Sequence, residues 1–139
     1  MSAVGLLTPE RVMIRDTARE FTLREVLPVA NRLDPVAGEI PLELRAKLAE
    51  MGYFGIRIPE QYGGSGLGCF EYCLVAEQLA RGWMSVASII ARGNGTLTID
   101  LLSDAQKARI LPRVVSGAYL GAMSLSEPCL LYTSPSPRD

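Results

Sequence analysis

An all-α bundle of five helices, up-and-down in character and followed by one β-strand, is the fold that this 139-residue sequence predicts. Three observations point there. Apolar residues recur at helical spacing through five separate segments. Helix start and stop signals punctuate those segments. The texture changes only after Gly117, where a short, partly alternating run appears.

The first helix opens at Thr8-Pro9-Glu10, which supplies a cap, a proline at the first helical position and an acid in the first turn. Ile14, Ala18 and Phe21 and then Leu23, Leu27 and Ala30 form its stripe, and Asp34-Pro35 closes it. Pro28 lies inside the pattern and should kink the helix or end it early. A second helix opens at Pro41, with Leu44, Leu48 and Met51 as its stripe and Gly52 as terminator. Tyr53 to Gly68 holds too much glycine for a helix, and its aromatic and aliphatic residues predict an ordered, packed loop. Helices three (about 69–81) and four (about 84–102) are apolar on almost every face, which predicts central positions. Gly93 and Gly95 weaken helix four, and tight helix packing is the favoured reason for them over a ligand. Ser103 and Gln106 make a capping box for helix five, which Gly117 stops and whose last turns Pro112 should disturb. Tyr119 to Leu125 reads as the strand.

Composition narrows the chemistry. The formal charge is −1, from 14 basic and 15 acidic residues, which argues against a nucleic-acid surface. No long uninterrupted apolar stretch predicts a membrane span. No secretory signal is read at the N-terminus. With no histidine in the chain, Ser-His-Asp triads and histidine-ligated zinc are excluded. The three cysteines, Cys69, Cys73 and Cys129, include no C-x-x-C pair, and the first two read as small core residues on one helix face. Gly63 to Gly68 matches a dinucleotide loop only loosely and does not follow a predicted strand. No carboxylate pair stands out for acid–base work, and Arg81, Arg92, Lys107, Arg109 and Arg113 read as a solvated bundle surface.

The order of the segments adds more than any one of them. Met51 to Gly66 (MGYFGIRIPEQYGGSG), Glu77-Gln78-Leu79-Ala80-Arg81, Gln106-Lys107 through Leu111-Pro112 and Ser116-Gly117, and Ala122 to Pro128 (AMSLSEP) resemble, in order, four signatures of the acyl-CoA dehydrogenase family. The resemblance implies that residues 1–117 are the family's N-terminal helical domain and 118–128 the first strand of its middle β-barrel domain. It implies FAD as cofactor, with Met123, Leu125 and Ser126 at the positions of flavin contacts. It implies α,β-desaturation of an acyl-CoA thioester, in which a carboxylate takes the α proton and the flavin takes the β hydrogen as hydride. Electron-transfer flavoprotein or a similar acceptor and a homotetramer when full length follow from the same resemblance, and the lack of a visible targeting segment suits a bacterial cytoplasm. The family's catalytic glutamate lies in its C-terminal domain, so no residue here, Glu127 included, is a candidate base. Acyl-CoA oxidation by oxygen, a desulfinase-like removal of an acyl substituent and a non-catalytic helical interaction module are the alternatives. Two stretches depart from the family. Cys129-Leu130-Leu131-Tyr132 stands where Ala-Gly-Ser-Asp is approached, so residues 129–139 are expected to be a non-native or disordered tail. Ala91 to Gly95 replaces a histidine-containing segment that borders the acyl pocket in many relatives.

Overall fold

The computed structural model describes residues 6–95 and 101–122. Among them, helices account for the architecture: α1 (Pro9–Phe21), α2 (Leu27–Leu33), α3 (Leu42–Glu50), α4 (Cys69–Gly82), α5 (Met84–Asn94) and α6 (Asp104–Val115). Thr8 caps α1 by accepting the Arg11 N–H at 3.3 Å. The capping box at α6 forms as expected, with Ser103 accepting the Gln106 N–H and the Gln106 side chain accepting the Ser103 N–H at 2.9 Å.

Pro28 neither ends the first helix nor breaks it. α1 and α2 are joined by one π-helical turn, Thr22–Val26, in which the Leu27 N–H donates to the Thr22 carbonyl five residues back. A proline has no N–H to give to the carbonyl four residues back, and widening the preceding turn redistributes those carbonyls without interrupting the helical path. Thr22 is buried inside this turn and its hydroxyl donates to Ala18 O at 2.8 Å. α4 passes so close that a Cβ on Gly82 would lie 2.4 Å from Thr22 Cγ2.

Pro112 is also absorbed: α6 continues past it to Val115, and the Ser116 N–H donates to the Pro112 carbonyl. The expected disturbance of the last turns is absent. The fourth predicted helix, by contrast, is shorter than its apolar pattern. α5 stops at Asn94 because Gly95 adopts an extended backbone (φ −70°, ψ 139°), so Gly95 lies after the helix and not within it. Leu101 and Leu102 belong to the bend before α6.

α4 packs most extensively against α1 and α5, in keeping with its central position. The main core unites Ala18, Ala30, Leu44, Leu48, Val75, Leu79, Val86 and Ile90 from every helix but α6, with Val26 of the π turn and Phe54 of the loop. A second cluster joins Ile58 of the loop to Leu111 and Val114 of α6. The buried stripe of α4 is Leu74, Val75, Gln78 and Leu79. Cys69 and Cys73 lie off that stripe and are exposed, which corrects their reading as core residues.

No strand occurs among the described residues. Tyr119 to Ala122 is neither helix nor strand, as a lone segment without a pairing neighbour must be. The remainder of the predicted strand and the tail lie outside the described residues.

α5 meets backbone at Gly93, where a Cβ would fall 2.5 Å from the Phe54 carbonyl oxygen. Gly93→Ala should therefore lower the unfolding free energy by about 1–3 kcal/mol, despite the better helix propensity of alanine. Urea unfolding followed by circular dichroism measures it; a neutral or stabilising result would place α5 further from the loop.

Candidate functional site: the glycine-rich loop and the end of α5

The loop between α3 and α4 folds on itself. Two 3-10 turns, Tyr53–Gly55 and Glu60–Tyr62, shape its outgoing limb. The returning limb pairs with it: Ser65 N–H donates to Gly55 O at 2.9 Å, Gly66 N–H to Ile58 O at 2.9 Å, and Leu67 N–H to Ile56 O at 2.8 Å. Gly64 sits where a Cβ would be 2.0 Å from the Ile58 carbonyl, so only a hydrogen side chain lets the limbs meet.

The loop is wedged between two helices. Phe54, fully buried, turns its carbonyl toward Gly93 of α5. Gly55 faces α6, where its Cβ would fall 2.8 Å from Val115 Cγ2. Ile58, also fully buried, packs on Leu111 and Val114. The expectation of an ordered, packed loop is met, and the packing is three-sided.

A polar residue that the sequence reading did not single out fastens the wedge. Asn94 is 2% exposed at the last position of α5. Its side-chain oxygen accepts the Arg57 N–H at 3.0 Å, and its amide nitrogen donates to Tyr53 O at 2.8 Å and to Ile90 O at 2.9 Å. The Arg57 guanidinium then donates to the Asn94 carbonyl at 2.9 Å, which satisfies a helix-terminal acceptor. Such a buried amide is stable only with its bonds made. The available signal was an asparagine directly before a glycine at the close of an apolar helical stripe.

Tyr53 is buried against Phe21, ring centroids 5.5 Å apart and nearly perpendicular. Burial pushes its hydroxyl up to about 12, so it stays protonated throughout the physiological range. At the loop's exit, the Glu71 carboxylate accepts the Gly68 N–H at 3.0 Å and the Arg11 Nε–H at 2.7 Å. The Arg11 guanidinium lies over the Phe70 ring at 4.4 Å. Arg11 and the backbone N–H groups hold the Glu71 carboxyl below its ordinary value of 4.5.

After α6 the chain turns at Gly117, whose carbonyl accepts from Arg45, and returns toward α5. Leu120 packs on the main core, and a Cβ on Gly121 would lie 3.9 Å from Arg92 O. The chain therefore enters the AMSLSEP segment beside the last turn of α5. Met123, Leu125 and Ser126 themselves lie outside the described residues.

Two cavities of the described residues lie along α1 and the π turn. One, of about 420 Å³, opens between α1 and α3 and is lined by Glu20, Arg24, Glu25, Lys47 and Glu50. Four of its charges are paired, Lys47 with Glu25 at 2.5 Å and Arg24 with Glu20 at 3.3 Å. The other, about 170 Å³ beside the π turn, is below the usual size of a ligand pocket. No helix among the described residues is long and apolar enough to cross a membrane.

Two outcomes check this geometry. Asn94→Ala leaves the Arg57 N–H and Tyr53 carbonyl without their partner and should destabilise the chain by about 1–3 kcal/mol in urea unfolding; a loss below a few tenths would remove Asn94 as the fastener. A carboxyl depressed in the folded state stabilises it above the unfolded pKa, and that contribution is lost as pH falls. The Arg11–Glu71 contribution should therefore be full at pH 7 and fade below the ordinary value of 4.5. In a pH series of unfolding curves Glu71→Gln should be less stable at pH 7 and converge on the parent in acid; a constant offset would contradict the assignment.

The family described as "Acyl-CoA dehydrogenase, N-terminal domain" matches residues 8–118. The chain is 39% identical over 125 residues to benzylmalonyl-CoA dehydrogenase of Aromatoleum aromaticum, an alignment that covers 88% of this chain and 33% of that protein. Its fold superposes on glutaryl-CoA dehydrogenase of Mycobacterium smegmatis with a TM-score of 0.79 at 28% identity, over 91% of this chain and 33% of the other. An acyl-CoA dehydrogenase of Bacillus anthracis complexed with FAD gives a TM-score of 0.76 at 32% identity, over 88% and 21%. The chain thus spans a third or less of the length of these proteins. The match across both helical clusters and the wedged loop is to one domain of one family: the chain belongs to the acyl-CoA dehydrogenase family, through that family's N-terminal domain.

Proposed function

We propose that this chain supplies the helical front part of an FAD-dependent acyl-CoA dehydrogenase, which introduces an α,β double bond into an acyl-CoA thioester. The observation that carries the reading is the order of the first three motifs within residues 8–118, which match this family's N-terminal domain, with the fourth, AMSLSEP, following them in the sequence. In this reading residues 1–117 are the helical domain, 118–128 begin the β domain, and 129–139 are foreign to both. Electron-transfer flavoprotein or a similar acceptor, a homotetrameric full-length assembly and a bacterial cytoplasm complete the proposal.

The chemistry explains the division of labour. A thioester α-C–H becomes acidic enough to lose its proton only when the carbonyl is polarised by donors aimed at its oxygen. FAD supplies the hydride acceptor when bound. The base belongs to the part of the enzyme that follows this chain. The contribution of the present residues is positional. Met123 and Leu125 offer backbone groups and apolar surface to the flavin ring, and the Ser126 hydroxyl meets its polar edge. The α5 end stands where the chain leads toward that segment, at Leu120 and Gly121.

Two measurements test the proposal. The 139-residue chain alone should emerge colourless from gel filtration after incubation with FAD, without turnover; retained yellow colour would contradict it. A chimera that joins residues 1–128 to the remaining domains of a full-length acyl-CoA dehydrogenase should retain FAD and be bleached by acyl-CoA. In that chimera Ser126→Ala should weaken FAD retention by about one hydrogen bond, about 1 kcal/mol. A folded, tetrameric and colourless chimera would overturn the reading.

A further inference from the structure

Cys69 and Cys73 stand one turn apart at the start of α4, on one face, and both are exposed. Residues four apart on a helix have Cβ atoms about 5–6 Å apart. A disulfide requires about 3.5–4.5 Å. The pair therefore cannot close directly without unwinding the first turn of α4, which the Glu71 carboxylate holds through the Gly68 N–H. A single atom placed between the two sulfurs spans the extra distance without moving the helix. Cys69 raises the Cys73 thiol by hydrogen bonding and by charge, after burial as the larger cause, while the Arg57 cation nearby acts in the opposite sense.

We propose that Cys69 and Cys73 form a two-sulfur binding site for one soft, low-coordinate metal or metalloid centre. Soft sulfur ligands select soft centres. No group of three or more His, Cys, Asp or Glu side chains is arranged to hold a metal among the described residues, so a centre that demands four protein ligands does not fit. Trivalent arsenic does fit. With phenylarsine oxide, two As–S bonds form, the two S–H bonds and the As=O bond break, and the oxygen leaves as water with both thiol protons. Arsenic remains trivalent and nothing is oxidised. The site does not depend on the dehydrogenase reading.

The test uses the full chain carrying Cys129→Ser, titrated with phenylarsine oxide. Intact mass and free-thiol counting should show one arsenical bound and two thiols lost per chain, with the helical circular dichroism unchanged. Adding Cys69→Ser or Cys73→Ser should weaken binding by about 100-fold or more, because the second bond is no longer intramolecular. Both cysteines are exposed, so each variant should keep the parent's helical spectrum, which verifies the comparison. Equal affinity in the single-thiol variants, loss of one thiol per arsenical, or loss of helix on binding would each overturn the proposal.

Discussion

The buried amide of Asn94 joins two stretches of backbone that would otherwise leave polar groups unpaired in an apolar interior. Its three side-chain bonds reach Tyr53 and Arg57 on the loop and Ile90 on its own helix. The loop cannot drift from α5 without stranding a donor and an acceptor together, and each stranded group is costly. The close contacts at Gly93 and Gly64 depend on that registration, since neither tolerates a shift toward its neighbour. The loop in turn carries Ile58 into the cluster on α6. One polar node therefore sets the relation between the main core and the second one.

This arrangement bears on function through position. The segment that leads to Met123 returns beside the last turn of α5, next to the residues that Asn94 fixes. Rigid support is what a site that must hold a cofactor ring needs, because small misplacements are costly to catalysis. In the proposed function the helical domain would act as scaffold, with the reactive groups supplied by the cofactor and by other parts of the enzyme.

Much of this was legible in the sequence because it rests on local rules. Caps at Thr8 and Ser103, the apolar stripes and the glycine-rich loop each follow from residue type and spacing. The departures share a cause: a tertiary contact outweighs a local preference. Pro28 and Pro112 read as breakers, but a π turn and continued packing of α6 accommodate them. α5 stops short of its pattern because Asn94 turns its amide to the loop and Gly95 extends. Cys69 and Cys73 read as core residues by type, while the face they occupy is decided by Leu74, Val75 and Leu79. Asn94 was marked only by its place before Gly95 at the close of an apolar stripe, and its partners, 37 and 41 residues away, could not be read from spacing. The flavin contacts rest on the motif alone, at positions outside the described residues.

Amide hydrogen exchange at Ser65, Gly66 and Leu67 tests the central claim most directly. Their N–H groups donate to Gly55, Ile58 and Ile56 within the wedge. The account predicts protection comparable to that of the central turns of α4 and α5, because the limbs can separate only when the loop leaves both helices. Exchange of these three amides at free-chain rates, while α4 and α5 remain protected, would show a loop that merely lies on the bundle and would contradict the account.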